Sequence, residues 1–450
     1  MGFLIDQEIR RTTAPALPTP PAQYNKAHLD LLNNALRLYF NQIDNVLRGI
    51  MATQSQLSTG VFPFGAAGDA FGRARVSSPF TLFDSQNRYA DSGDFDTATA
   101  TGGTATFAAN TASVDLEVTT TSGSEVVRES FRVFPYQPGK SLLVMTTFVM
   151  NAAKANLRQR VGYFSTQNGV FVEQSDAIYM VLRSFVTGST VDTKVAQANW
   201  NQDKLDGNGP SGLTLDMSKS QIFWTDLEWL GVGSVRSGFV INGQLVICHV
   251  FDNANINANV YMTTAILPVR YEITNTDTTA SASTLKQICS TVISEGGYER
   301  KTALTVARMT SAKSVTTSFI PLVSIRLASG RLDAVVLPAL YSALPTSNAN
   351  YEVALIKNPT LTGASFAASG SANVEFDLAA TALSSGTIVG TTFIGATNQS
   401  RVPLEVDTGY NFDLQLGRTI GGTSDIITLA ARTLSGTNDI IGALEFYDLT

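Results

Sequence analysis

The stretch "QIFWTDLEWLGVGSVRSGFVINGQLVICHVF", residues 221–251, decides the fold class. Runs of strand length, rich in β-branched and aromatic residues, are interrupted by "GVG" and by Asn242-Gly243. A two-residue type I′ hairpin needs positive φ at both central positions, which Asn and Gly tolerate best. The segment predicts consecutive antiparallel strands closed by a two-residue turn at 242–243. "GVG" reads as a tight turn, because a strand follows it and no helix N-terminus is offered to a phosphate.

The same texture extends in both directions. "SVDLEVTT", "SLLVMTTFVM", "QRVGYFS", "GVFVEQ", "IYMVLRSFV" and "VRYEITNT" are further strand-length runs, separated by turn signals such as "PGK", "QNG" and "DGNGPSG". After "STVISEGGYER" the pattern restarts and continues to the end, with Pro338 and "SALPTSNAN" marking a loop between early strands. Many strands at hairpin spacing and almost no helix predict a mainly β chain, with a jelly-roll β-sandwich over residues 57–298 and a second C-terminal β-sandwich over 299–450.

Residues 1–56 differ. "APALPTPP" holds four prolines in eight positions and predicts an extended arm. A helix over about 22–52 follows. Leu29, Leu36, Ile43 and Ile50 occupy one heptad position and Leu32, Tyr39 and Val46 the other, while Phe40 and Leu47 widen the stripe. The stripe suits either packing within the chain or association with other copies and partners.

Charged residues are 15% of the 450 and the net charge is −6, so no general attraction to nucleic acid is expected. No stretch reaches the roughly 18–20 apolar residues of a membrane helix, and none reads as a signal peptide. Cys248 and Cys289, the two cysteines, form no metal-ligand motif and are expected as reduced core residues.

Chemical suspects are few. Asp226 and Glu228 share a strand face under strict alternation, beside Trp229. Retaining glycosidases use two carboxylates about 5–5.5 Å apart. The denser acidic strand of laminarinase-type enzymes is missing, however, and the pair reads as a polar rim of limited burial. His249 and Cys248 fall on opposite faces by alternation. Asp203, Asp206, Asn208 and Asp216 depart from an EF-hand pattern. Trp200, Trp224 and Trp229 offer rings for stacking on sugars or for a core. No catalytic residue, cofactor or metal is assigned, and the chain is expected not to be an enzyme.

"FGRARVSSPFTLFDSQNRY", "YQPGKSLLVMTTFVMNAAKANLRQRVGYFSTQNGVF", "DLEWLGVGSVRSGFVINGQLVICHVFDNAN" and "NFDLQLGRTIGGTSDIITLAARTL" resemble virion structural proteins of tailed bacteriophages of aquatic bacteria, tail-fibre-like or head-associated. "LPTPPAQYNKAHLDLLNNALRLYFNQIDN" is similar to N-terminal segments of phage appendage proteins. The middle region also looks like the lectin-type jelly roll of glycan-binding modules. The resemblance implies a virion location after synthesis in the host cytoplasm. It implies a homotrimeric tail fibre or appendage, attached to other particle proteins through residues 1–56 and binding host-surface glycan. Trp200, Asp226, Glu228 and Trp229 are then the candidate binding residues. A capsid fibre or decoration, neck or baseplate component is an alternative station. A glycan-degrading appendage enzyme acting through Asp226 and Glu228 is the alternative function.

Overall fold

The computed structural model describes residues 17, 19, 21–58, 77–299, 304–395 and 412–450. The chain divides into two compact units, Met1–Ser77 and Ser78–Thr450. In the first, one helix spans Lys26–Ser58. Asn25 caps it: its Oδ1 accepts the Ala27 N–H at 2.9 Å. The helix runs on past the expected end, because "MATQSQLS" contains no proline, glycine or β-branched run to stop it. Leu32, Leu36, Tyr39 and Ile43 form a half-buried stripe, whereas Leu29, Leu31, Leu38, Phe40 and Leu47 are exposed. The side chains of Val46 and Ile50, and most of the proline arm, lie outside the described residues.

The second unit begins with a sandwich. One sheet has eight strands. In spatial order they are Gln244–Phe251, Val235–Ile241, Gln221–Leu227, Leu142–Val149, Ser283–Ser294, Ser113–Val118 and Thr104–Ala108, with Phe80–Gln86 also paired to Ser283–Ser294. The other has seven: Val191–Ala196, Ile178–Ser184, Gly169–Gln174, Leu157–Phe164, Val269–Asn275, Glu125–Ser130 and Phe95–Ala100. All these pairs are antiparallel. Alternate residues of each sheet, including Phe148, Phe223, Phe239, Val161, Tyr163, Val172 and Tyr271, fill one core between them.

The opening stretch forms three consecutive antiparallel strands at one edge of the eight-stranded sheet. Ile241 pairs with Gln244 across Asn242 (φ 54°) and Gly243 (φ 77°), the expected two-residue turn. Two details depart from the sequence reading. The first strand ends at Leu227, so "GVG" belongs to a longer loop in which Glu228 N–H donates to Ser234 O. A bulge leaves Cys248 unpaired, so alternation breaks there and Cys248 and His249 are both buried. Cys289, expected in a core, is exposed.

A second sandwich follows. Its four-stranded sheet places Asn438–Asp448 between Val336–Pro345 on one side and Leu304–Arg308 and Lys313–Val315 on the other. Its six-stranded sheet is ordered Ala367–Ala368, Val374–Asp377, Ile320–Leu327, Ile426–Thr433, Tyr351–Lys357 and Thr387–Ile394. Pro338, expected in a loop, lies within the edge strand Val336–Pro345. The register shifts immediately after it, and an edge strand with a bulge is where a sheet tolerates a residue without an N–H. Leu337, Ala339, Phe412 and Tyr447 join the core of the first sandwich, so the two sandwiches are continuous in packing. Among the described residues no helix is long and apolar enough to cross a membrane.

Candidate functional site

Residues of the seven-stranded sheet that alternate with its core-facing ones point away from the eight-stranded sheet. They build a second, mixed layer there. Phe164, Phe171 and Val181 form its apolar centre, with Tyr179 packed against them. The two phenyl rings lie 4.3 Å apart, and each sits across from a glycine: Phe164 pairs with Gly169, and Phe171 with Gly162. A Cβ at Gly169 would come within 2.2 Å of Phe164 Cβ, and one at Gly162 within 2.8 Å of Phe171 Cβ, so only glycine admits the rings.

Charged side chains surround this centre. Arg183 lies over Phe171 at 5.0 Å, Arg160 over Phe171 at 5.4 Å and Arg270 over Phe164 at 5.6 Å. Arg160 Nε donates to Glu173 at 2.7 Å, and Lys194 donates to the other oxygen of the same carboxylate. Arg183 grips Asp192 through Nε and Nη2 at 2.8 and 2.9 Å. Glu272 is shared by Arg158 (3.1 Å), Arg160 (3.3 Å) and Arg270 (3.2 Å). Arg270 also reaches Glu129 at 2.7 Å. Arg418, from the loop after Phe412–Leu414, takes the remaining Glu129 oxygen.

The electrostatics follow from these contacts. Burial opposes ionisation of Glu173, Glu272 and Asp192, but their cationic partners outweigh it and hold all three below the usual carboxylate range. For Glu173 the Lys194 hydrogen bond leads, for Asp192 the Arg183 hydrogen bond, and for Glu272 the Arg270 charge. These are permanently ionised groups at neutral pH. A cavity of about 560 Å³ opens at one end of the layer, with Lys154, Arg158, Glu173, Ser175, Asp176 and Lys194 in its wall.

The residues singled out from sequence stand elsewhere. Trp200 is 2% exposed in the first core and its Nε1 donates to Val195 O at 3.1 Å, so it presents no ring face to a ligand. Trp229 is half-buried, donates to Met262 O at 3.1 Å and meets Tyr136 edge-on. Asp226, expected at a rim, is 5% exposed and ion-paired with Arg236. Glu228 is exposed in the loop beyond the strand, so the two acids do not share a strand face. Burial raises the Asp226 pKa; Arg236 opposes this, and the negative charges of Glu295 and Glu228 add to it. Asp226 Oδ1 and Trp224 Nε1 are buried without a hydrogen-bond partner among the described residues. His249 is buried, accepts the Asn201 N–H at 3.3 Å and is held below its usual pKa by burial. In the 201–216 loop, Asp203 accepts the Leu205 and Ser211 N–H groups and Asp206 the Asn208 N–H, so these carboxylates brace the turn.

The charged layer escaped the sequence reading. Its local signal is Arg158 and Arg160 at alternate positions in one strand, with Arg270 and Glu272 in another. Partners such as Arg270 and Glu129 are separated by 141 residues, and no local pattern pairs them.

No protein-family model and no curated protein matches the sequence. Solved structures are similar over about half of the chain. The carbohydrate recognition domain of Emp47p matches with 9% identity and a TM-score of 0.30, over 51% of this chain and 100% of that one. Arcelin-5, a lectin-like defence protein from Phaseolus vulgaris, matches with 12% identity and a TM-score of 0.29, over 48% and 99%. A carbohydrate esterase of the Shiga toxin-encoding bacteriophage phi24B matches with 10% identity and a TM-score of 0.28, over 48% and 100%.

Proposed function

We propose that this chain is a non-catalytic structural protein of a tailed-phage virion that binds host-surface glycan through the charged outer layer of its seven-stranded sheet. In this reading it is a homotrimeric tail fibre or appendage, and the arm and helix of residues 1–56 attach it to other particle proteins. The resemblance of the quoted segments to phage virion proteins supports the location. The observation that carries the binding role is the state of the carboxylates. Glycoside hydrolysis needs one carboxyl held protonated as the acid. Glu173, Glu272 and Asp192 are instead held ionised by arginine and lysine, and the open cavity of about 560 Å³ is walled by Lys154, Arg158, Lys194, Ser175 and Asp176 together with Glu173. Fixed donors and acceptors beside an open cavity suit recognition of sugar hydroxyls.

Binding of purified protein to host envelope polysaccharide, together with immunogold labelling of virions, tests the proposal. Labelling at the tail with saturable binding and no turnover is expected. Labelling at the capsid, neck or baseplate would move the station. Absence from the particle would end the virion reading.

One observation favours a hydrolase as the second reading: Asp226 has a raised pKa and lies near Glu228 and Glu295. Against it stand the burial of Asp226 and its ion pair with Arg236. Turnover of polysaccharide that disappears in Glu228→Gln would establish it.

A further inference from the structure

We infer that the cavity beside Arg158 is a subsite for a carboxylate-bearing saccharide, a uronic acid or a similar acidic sugar. This rests on the glycan-binding reading above and names the ligand class within it.

The argument begins with a charge count. Across the outer layer, six cations (Arg158, Arg160, Arg183, Lys194, Arg270 and Arg418) are paired with four carboxylates (Glu129, Glu173, Asp192 and Glu272). The pairing is uneven. Arg183 and Asp192 form a matched bidentate pair, whereas Glu272 alone serves three guanidinium groups. Arg158 has only that shared carboxylate, and 27% of its side chain remains exposed at the cavity.

Lys154 increases the imbalance. Its ammonium donates to Ser281 O at 3.1 Å, Ser281 Oγ at 2.9 Å and Ala282 O at 3.1 Å, all neutral oxygens. Its position is therefore fixed while its charge has no carboxylate partner among the described residues. The cavity wall carries Lys154, Arg158 and Lys194 against Glu173 and Asp176. Glu173 is 0% exposed and already held from two sides by Arg160 and Lys194, so it offers little negative field to the cavity.

A ligand carboxylate beside Arg158 and Lys154 supplies the missing anion, and guanidinium is the side chain that best matches carboxylate geometry. The remaining wall suits a sugar ring. Asp176 is exposed, with Ser175 Oγ at 3.0 Å and the Tyr179 hydroxyl at 3.2 Å fixing its orientation, and accepts hydrogen bonds from ring hydroxyls. The volume fits one or two sugar units, within the range of ordinary ligand pockets.

The test is calorimetric titration of the full chain with a glucuronic-acid disaccharide, its methyl ester, and sodium acetate as a bare carboxylate. The acid is expected to bind at least about tenfold more tightly than the ester, the scale of one charge-assisted contact. Arg158→Gln is expected to remove that difference. Lys154→Gln, a loop substitution, gives the second variant should Arg158→Gln fail to fold, and is expected to reduce the acid's advantage. Equal binding of acid and ester by the unmodified chain would overturn the acidic-sugar assignment and leave a neutral-glycan protein. Acetate binding as tight as the disaccharide would reduce the cavity to a simple anion site and overturn it as well. If neither saccharide binds and host polysaccharide also fails to bind, the glycan-binding reading itself falls.

Discussion

Glu173 and Glu228 are both glutamates at or just beyond a strand of the first sandwich, yet their surroundings differ completely. Glu173 is buried between Arg160 and Lys194, while Glu228 stands exposed beyond a strand end. Removing one member of a buried ion pair leaves its partner uncompensated, at a cost of about 3–5 kcal/mol. Glu173→Gln is expected to lie at the lower end of this range, since the Lys194 side chain is partly exposed. Glu228→Gln is expected to change stability by less than about 1 kcal/mol. Urea unfolding of the two variants side by side checks both values.

Glu173 and its neighbours in the charged layer set the acid limb of stability. Glu173, Glu272 and Asp192 have folded pKa values below their unfolded ones. Their contribution is full above the unfolded carboxylate values of about 4 and is lost as pH falls toward the depressed folded values. Asp226 acts in the opposite sense: its folded pKa is raised, so its ionisation disfavours the fold above that raised value. Asp176, Asp203 and Asp216 also lie below the usual carboxylate range, so among the described residues six lowered groups against one raised predict a net loss. Thermal midpoints are expected to fall steadily below about pH 4, and a flat profile from pH 5 to 3 would contradict the ion-pair account. Asp226 also shows where sequence legibility stops. Asp226 and Glu228 share a strand face only while the strand lasts, and it ends at Leu227. Whether that face is a rim or is covered depends on packing from distant segments.

At the scale of elements, the Asn242-Gly243 hairpin was fully legible because its chemistry is local: two residues with positive φ and flanking runs in register. Gly243→Val places a β-branched residue at φ 77° and is expected to destabilise the second unit by more than about 1 kcal/mol, measured by thermal unfolding. The bulge at Cys248 and the strand placement of Pro338 were not legible. Both arise where one strand has an extra residue relative to its neighbour, and a hydrophobic period read along one strand carries no information about that neighbour. The helix was legible as an element from its heptads, and Asn25 explains its start.

For the whole molecule, the two compact units suggest a clean division of labour. If residues 1–56 anchor the chain as proposed, removing residues 1–58 is expected to leave a folded β unit that neither self-associates nor joins particles. Light scattering and particle incorporation read the two losses. An unchanged oligomeric state would remove the helix from the assembly model. By contrast, a cut near residue 300 is expected to be damaging. Leu337, Ala339, Phe412 and Tyr447 complete the first core, and Arg418 completes the pairing of Glu129. Residues 78–450 are expected to melt in one calorimetric transition, and a fragment ending at 298 to unfold at a lower temperature than the whole unit.

The strand Asn438–Asp448 lies in the middle of its sheet, hydrogen-bonded to three others that all precede it in the chain. On the ribosome, Leu304–Arg308, Lys313–Val315 and Val336–Pro345 therefore emerge as edges without a centre, each with unpaired backbone groups open to wrong partners. Closure of that sheet has to wait for synthesis to pass residue 448. A translation stop even a dozen residues short of that point would remove the only strand that the other three share, leaving an aggregation-prone product rather than a slightly shorter protein.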